Sequence, residues 1–171
     1  MSKRELKKFL GQLTKEQLEE QIVEIYEKFP PVKTYFNFVF NPNEENLIKD
    51  AKLKISNEFF PIRGKRPKMR RSVAQKYIKH FISLGVDPFL VADLMLYTIE
   101  IAQTLSSEKV IKQEAFFKGI LSSFSQSISF MIEKGILYDF RARVEDIKEV
   151  TIAQNWYNSD EFIVILERFD Y

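Results

Sequence analysis

The stretch Asp87-Pro88-Phe89-Leu90-Val91-Ala92-Asp93-Leu94-Met95-Leu96-Tyr97-Thr98-Ile99-Glu100-Ile101-Ala102-Gln103-Thr104-Leu105 decides the fold. Asp followed by Pro reads as a helix N-cap and first helical position. The carboxylate accepts first-turn amides, and Pro lacks only an amide that has no helical partner. The run that follows is apolar nearly all round. Such a helix must be covered on every side, so it is expected at the centre of the fold, running to about Leu105 with a break at Ser106-Ser107.

Working outward, the neighbours also read as helices. Toward the N-terminus, Val73, Tyr77, Phe81 and Leu84 form an apolar face, with Ser72 as its expected cap and Gly85 as its C′ residue. Asn41-Pro42 repeats the cap-plus-proline signal and predicts a helix to about Phe59, with Leu47, Ala51, Leu53, Ile55, Phe59 and Phe60 inward. Val32 to Phe40 fits alternation and helical spacing alike; helix is preferred because no partner strand is evident. Thr14 with Gln17 forms a capping box ahead of the stripe Leu18, Ile22, Ile25, Tyr26 and Phe29, which Pro30-Pro31 ends. A short helix over Ser2–Leu10 opens the chain.

Toward the C-terminus, a long helix is expected from Glu108 to Lys134, with Phe117, Leu121, Phe124, Ile128 and Met131 as its core face and Gly135 as its stop. The serines among these imply close packing or solvent rather than catalysis. A helix to about Ala153 follows, then a last one from Ser159 or Asp160, although 162–166 also suits a strand. The expected architecture is all-α: one domain over 1–171, a bundle or short helical array of about seven to nine helices. Composition agrees. Five Gly and six Pro in 171 residues are too few for the turns of a sandwich or barrel, and 16 Phe imply an aromatic core.

Composition also removes chemistries. Without Cys there are no disulfides, thiol nucleophiles or thiolate zinc sites. With His80 as the single histidine, two-His metal sites are excluded within one chain. No cofactor is expected, and no phosphate-binding glycine loop or hydrolase elbow is present. The N-terminus lacks a secretory h-region, and no uncharged apolar run reaches the roughly 18 residues of a membrane helix. A cytoplasmic protein without membrane contact is expected.

The sharpest functional signal is charge. Arg63, Lys65, Arg66, Lys68, Arg70 and Arg71, then Lys76 and Lys79, fall in a stretch with no acid between Glu58 and Asp87. Residues 59–86 carry +8 while the whole chain carries +2, which leaves −6 elsewhere. Arg and Lys bind phosphate by charge and directed hydrogen bonds, so these eight are the candidate anion-binding residues, with nucleic acid the first partner considered. An acidic protein, a lipid or a phosphorylated ligand would meet the same chemistry. Aromatic residues hardly interleave with the cations, so base stacking is unsupported. A solvated interhelical segment paired with acidic neighbours explains the same residues without any ligand.

Asp93 and Glu100 form a second constellation, two turns apart on one face of the central helix, about 10.5 Å along its axis. A buried acid pair suits acid/base work or a hard metal. The simpler expectation is pairing with cations such as Lys76, Lys79 or His80. His80 itself reads as a structural hydrogen-bonding residue. Trp156 and Tyr157 are expected to pack the last helix down or to form a contact surface.

Three stretches carry a family resemblance: Met1-Ser2-Lys3-Arg4-Glu5-Leu6-Lys7-Lys8, Lys65-Arg66-Pro67-Lys68-Met69-Arg70-Arg71-Ser72-Val73-Ala74-Gln75-Lys76, and Leu84-Gly85-Val86-Asp87-Pro88-Phe89. The chain resembles an uncharacterised family of small Bacteroidetes proteins, a domain of unknown function, over most of its length. The resemblance implies a bacterial cytoplasmic protein and supplies no reaction, ligand or site residue. The expected function is a binding module, not an enzyme, whose basic segment meets an anionic partner; a protein–protein module with an acidic partner is the alternative.

Overall fold

A computed structural model describes residues 1–62 and 66–168. Among these, every regular element is helical, so the all-α expectation holds. Nine α-helices run α1 (Lys3–Leu10), α2 (Lys15–Lys28), α3 (Pro30–Phe40), α4 (Glu44–Phe59), α5 (Arg71–Leu84), α6 (Pro88–Glu108), α7 (Glu114–Glu133), α8 (Arg141–Ala153) and α9 (Ser159–Glu167). A 3-10 turn, Tyr138–Phe140, precedes α8. The chain packs as two compact units, Met1–Asn43 and Glu44–Tyr171.

The first unit contains α1 to α3, and none of its residues is buried. The expected capping box of Thr14 with Gln17 is present, and Ser2 with Glu5 closes a second one that the sequence reading did not name. Phe29 lies between α2 and α3 with extended φ and ψ of −117° and 101°, as the residue before a proline should. Pro30 therefore opens α3 as well as ending α2. Tyr26 meets Phe36 edge-on and donates its hydroxyl to Asn37 Oδ1 at 3.3 Å, which ties α2 to α3.

The second unit is built on α6, with α4, α5, α7 and α8 packed around it. Ten of its residues are buried, Leu94, Leu96 and Ile99 completely. By length and composition α6 could cross a membrane, but 56% of its apolar stretch is buried. Asp87 caps α6 through Phe89 N–H at 2.8 Å, as its Asp-Pro start predicts. Gly85 closes α5 at φ 80°, a left-handed conformation that glycine adopts without Cβ strain. Trp156 is 3% exposed and sits with Phe116, Phe117 and Phe162 in an aromatic cluster. The same ring donates Nε1–H to Gln154 Oε1 at 2.9 Å, so its polar atom is satisfied inside the core. Gln103, buried on α6, donates to the Ile147 carbonyl at 2.7 Å and to Thr151 Oγ1 at 2.8 Å, which pins α8.

Several expected boundaries are corrected. Asn41 is the C-cap of α3, its N–H bound to the Asn37 carbonyl, so it cannot open α4, which starts at Glu44. Leu53 is exposed, and Ile48 takes its place in the core. Arg70, not Ser72, holds the N-cap position of α5. Asn158 holds that of α9. Ser106-Ser107 does not break α6. Ser107 Oγ donates back to the Thr104 carbonyl at 2.8 Å, and the helix continues to Glu108. The next helix, α7, starts only at Glu114; Phe124, Ile128 and Met131 are buried as expected, while Phe116 and Ile120 take the places expected for Phe117 and Leu121. Within α7, Ser123, Ser127 and Ser129 bond carbonyls four residues back. The 162–166 segment is helical.

Candidate functional site

The basic segment starts where α4 ends. The backbone N–H groups of Lys68 and Met69 both donate to the Glu58 carbonyl, at 2.9 and 3.0 Å, and fold the chain back on the last turn of α4. Met69 takes φ 51° to make this reversal, an uncommon left-handed conformation for a side chain of its size. The Glu58 side chain then receives Arg70 in a two-pronged pair, Nε to Oε2 at 2.7 Å and NH2 to Oε1 at 2.8 Å. Arg70 holds the Glu58 carboxyl below its ordinary range, against a smaller opposing effect of burial. One residue on, Arg71 reaches across and donates NH1 to the Gly119 carbonyl of α7 at 2.9 Å. Gly119 presents no side chain there, and a Cβ on it would lie 3.7 Å from Arg71 Cδ.

The eight candidate cations therefore fall into groups. Arg70 and Arg71 are engaged within the fold. Arg66, Lys68, Lys76 and Lys79 are exposed and make no ion pair among the described residues. Arg66 and Lys68 line a groove of about 260 Å³ with Asn57, Glu58, Pro61 and Ile62. Lys76 and Lys79 share one face of α5, three residues apart. Arg63 and Lys65 lie outside the described residues.

Asp93 and Glu100 are brought together, but not by the cations expected. Arg143 of α8 lies between them. Its Nε and NH2 donate to Glu100 Oε1 and Oε2 at 2.5 and 2.8 Å, and its NH1 donates to Asp93 Oδ1 at 2.7 Å. Lys52 of α4 takes the remaining oxygen, Asp93 Oδ2, at 2.6 Å, and lies 5.0 Å from the centre of the Tyr97 ring. Burial pushes the Asp93 carboxyl up, but the hydrogen bonds from Lys52 and Arg143 outweigh it and the carboxyl lies below its ordinary value. Glu100 chiefly, then Asp93, drives the Arg143 guanidinium further toward its charged form against burial. Lys76, Lys79 and His80 take no part. His80 is exposed against Phe81, with ring centres 5.9 Å apart, and its imidazole makes no hydrogen bond among the described residues.

All four oxygens of the acid pair thus accept hydrogen bonds from cations. An acid/base or metal role needs a carboxylate oxygen free to meet a substrate proton or a metal, and this pair offers none. Among the described residues, no cluster of three His, Cys, Asp or Glu could hold a metal ion. A cavity of about 400 Å³ opens beside Lys52 and Tyr97, with Ile48, Leu53 and Leu90 as its apolar lining. Arg143 and Lys52 were invisible in the sequence because each lies over 40 residues from its acid partner. The local signal, a cation among the buried positions Val144, Ile147 and Thr151, marks any partly buried Arg.

A family model described as a family of unknown function (DUF6155) matches residues 1–170. The chain belongs to this family. A family of unknown function is what the sequence resemblance anticipates, and the match extends over both units. No curated protein and no solved structure matches the chain. The DUF6155 chain is thus left to its own geometry, in which the ion-pair hub is saturated and four cations of the basic segment are not.

Proposed function

We propose that this protein is a binding module that docks on the phosphate backbone of nucleic acid through its basic segment, by charge and without base specificity. The observation that carries this reading is the division among its cations. Arg70 and Arg71 hold the segment against α4 and α7, while Arg66, Lys68, Lys76 and Lys79 stand exposed without ion pairs among the described residues. Side chains of this kind suit phosphate contacts, and the pinned backbone limits the ordering entropy of binding. The groove beside Arg66 and Lys68 gives a phosphate a concave seat.

The test is anisotropy titration of a labelled mixed-sequence duplex across a salt series. Four phosphate contacts give a slope of log K against log salt of about −3.6. Replacing both Lys76 and Lys79 by Gln should reduce the slope by about 2 while leaving binding equally indifferent to sequence. Absence of binding at low salt overturns the proposal. So does capture of a partner that survives nuclease and depends on the same lysines, which would assign the segment to an acidic protein.

A further inference from the structure

The first unit has helices but no interior. Among its larger apolar side chains Leu6, Phe9, Ile22, Ile25 and Phe29 stand 40, 47, 49, 42 and 54% exposed. The last three, with half-buried Leu18, recur at four- and three-residue steps, a heptad-like seam along α2. Leu6 and Phe9 form the matching short stripe on α1. Only Gly11–Leu13 separates α1 from the α2 cap, yet the two helices do not cover each other's stripes within one copy. A unit of 43 residues without a buried residue has little of its own to hold it together. Something must cover the seam.

Charge identifies what fits. Lys3, Arg4, Lys7 and Lys8 against Glu5 give α1 a net +3. Lys15 and Lys28 against five glutamates give α2 a net −3. An α2 seam facing a second α2 would bring two acidic helices together. Facing an α1, it meets opposite charge and a matching apolar stripe. We propose that α1 of one copy packs on the α2 seam of a second copy, and reciprocally, to form a two-fold homodimer. In such an isologous pair each contact occurs twice, so the two charge-matched pairings satisfy both copies and close the assembly.

The area is adequate. Half of a large apolar side chain is on the order of 80 Å², so the five exposed residues supply roughly 400 Å² per copy. With apolar atoms forming a little over half of a typical interface, the total approaches the roughly 1,600 Å² of a standard stable one.

The experiment is sedimentation equilibrium of the full chain with three variants: Ile22→Glu with Ile25→Glu, Lys7→Glu with Lys8→Glu, and Glu19→Lys with Glu24→Lys. The wild type is expected as a dimer. The apolar-to-Glu variant should weaken it at least about 100-fold, since two charges would be buried in the seam. Each charge-reversed variant alone should weaken association about tenfold, and an equimolar mixture of the two should recover a heterodimer. The mixing arm decides the matter even if the apolar variant misfolds, because both of its components keep the apolar seam. A wild type that remains monomeric at all concentrations overturns the proposal. So does a dimer indifferent to the Ile22/Ile25 substitutions, or a mixture that associates no better than its components.

Discussion

Replacing Arg143 by Met should lower the stability of the larger unit by about 2–3 kcal/mol. Arg143 is the only bond between Glu100 and a cation among the described residues, and one of the two that Asp93 has. Methionine preserves most of the stem packing but leaves two carboxylates facing a lost charge. Breaking a fully buried pair typically costs about 3–5 kcal/mol, and an exposed one 0–1. Here the Arg143, Asp93 and Glu100 side chains are 29, 29 and 34% exposed, which places the loss between those limits. The assay is urea unfolding followed by tryptophan fluorescence. Trp156 is the single tryptophan of the chain and lies buried in this unit, so the signal reports its core and not the helices of the first unit. With a slope of about 2–3 kcal/mol/M, the midpoint should fall by about 1 M. Most of this loss is the penalty of unpaired acids, not the net worth of the hub. Adding Asp93→Asn and Glu100→Gln to R143M should therefore return at least half of it. A single variant within about 0.5 kcal/mol of wild type, or a triple variant no more stable than the single, would refute this account of the hub.

Four further expectations rest on named contacts. Gly85→Ala should destabilise by about 1 kcal/mol in the same urea assay, because φ 80° strains a Cβ although no atom lies within 4 Å of one there. Gly119→Ala should instead stabilise by about 0.5–1 kcal/mol, since it removes a helix-interior glycine and the new methyl meets Arg71 at ordinary contact distance; a loss of stability would show that the Arg71 strut needs closer approach. Phe124→Ala, at a fully buried ring packed on Phe162, should cost about 3–5 kcal/mol and free the Trp156 signal at lower urea. The carboxyls of Asp93 and Glu58 both lie below their ordinary values in the fold. The folded state therefore binds fewer protons than the unfolded chain, and this stability is complete above about pH 5 and lost as pH falls through 4 toward the folded values. A urea midpoint unchanged from pH 7 to 3 would contradict it.

The helices were legible where a single residue type decides a backbone state. Thr14 with Gln17, Asp87-Pro88 and Gly85 each act within one turn, so local sequence suffices for them. The central place of α6 was legible for a similar reason, since a helix apolar all round leaves no choice of face. The failures come from competition. Asn41 suits both the end of one helix and the start of the next, and the chain uses it to end α3. Ser106-Ser107 looks like a break until the Ser107 hydroxyl bonds back to the Thr104 carbonyl of its own helix. On α7 the expected Phe124, Ile128 and Met131 are buried, and only the first two turns of the face differ, using Phe116 and Ile120. The acid pair was legible as a pair needing cations. Which cations depends on how α4 and α8 pack on α6, and no local pattern encodes that.

The same distinction sharpens the reading of the basic segment. In sequence its eight cations are equivalent, and nothing separates the adjacent Arg70 and Arg71 from the rest. Among the six that the structure describes, those two are the least free. Arg70 is held by both oxygens of Glu58, and Arg71 by a carbonyl exposed where α7 has a glycine. Their charge is partly spent on fixing a loop whose backbone already takes an unfavourable turn at Met69. That expense has a mechanical consequence: it holds Lys68 at the foot of α5, the helix that carries Lys76 and Lys79. An arginine that positions its neighbours affects binding differently from one that touches the ligand. Substituting Arg70 by Gln should loosen the segment and weaken duplex binding mainly by added ordering entropy, so the salt slope should change by less than about 1 while affinity falls. Substituting Lys76 and Lys79 should reduce the slope itself. If Arg70→Gln reduces the slope as much per residue as the lysines do, Arg70 leaves Glu58 to contact phosphate, and the separation between strut and ligand is wrong.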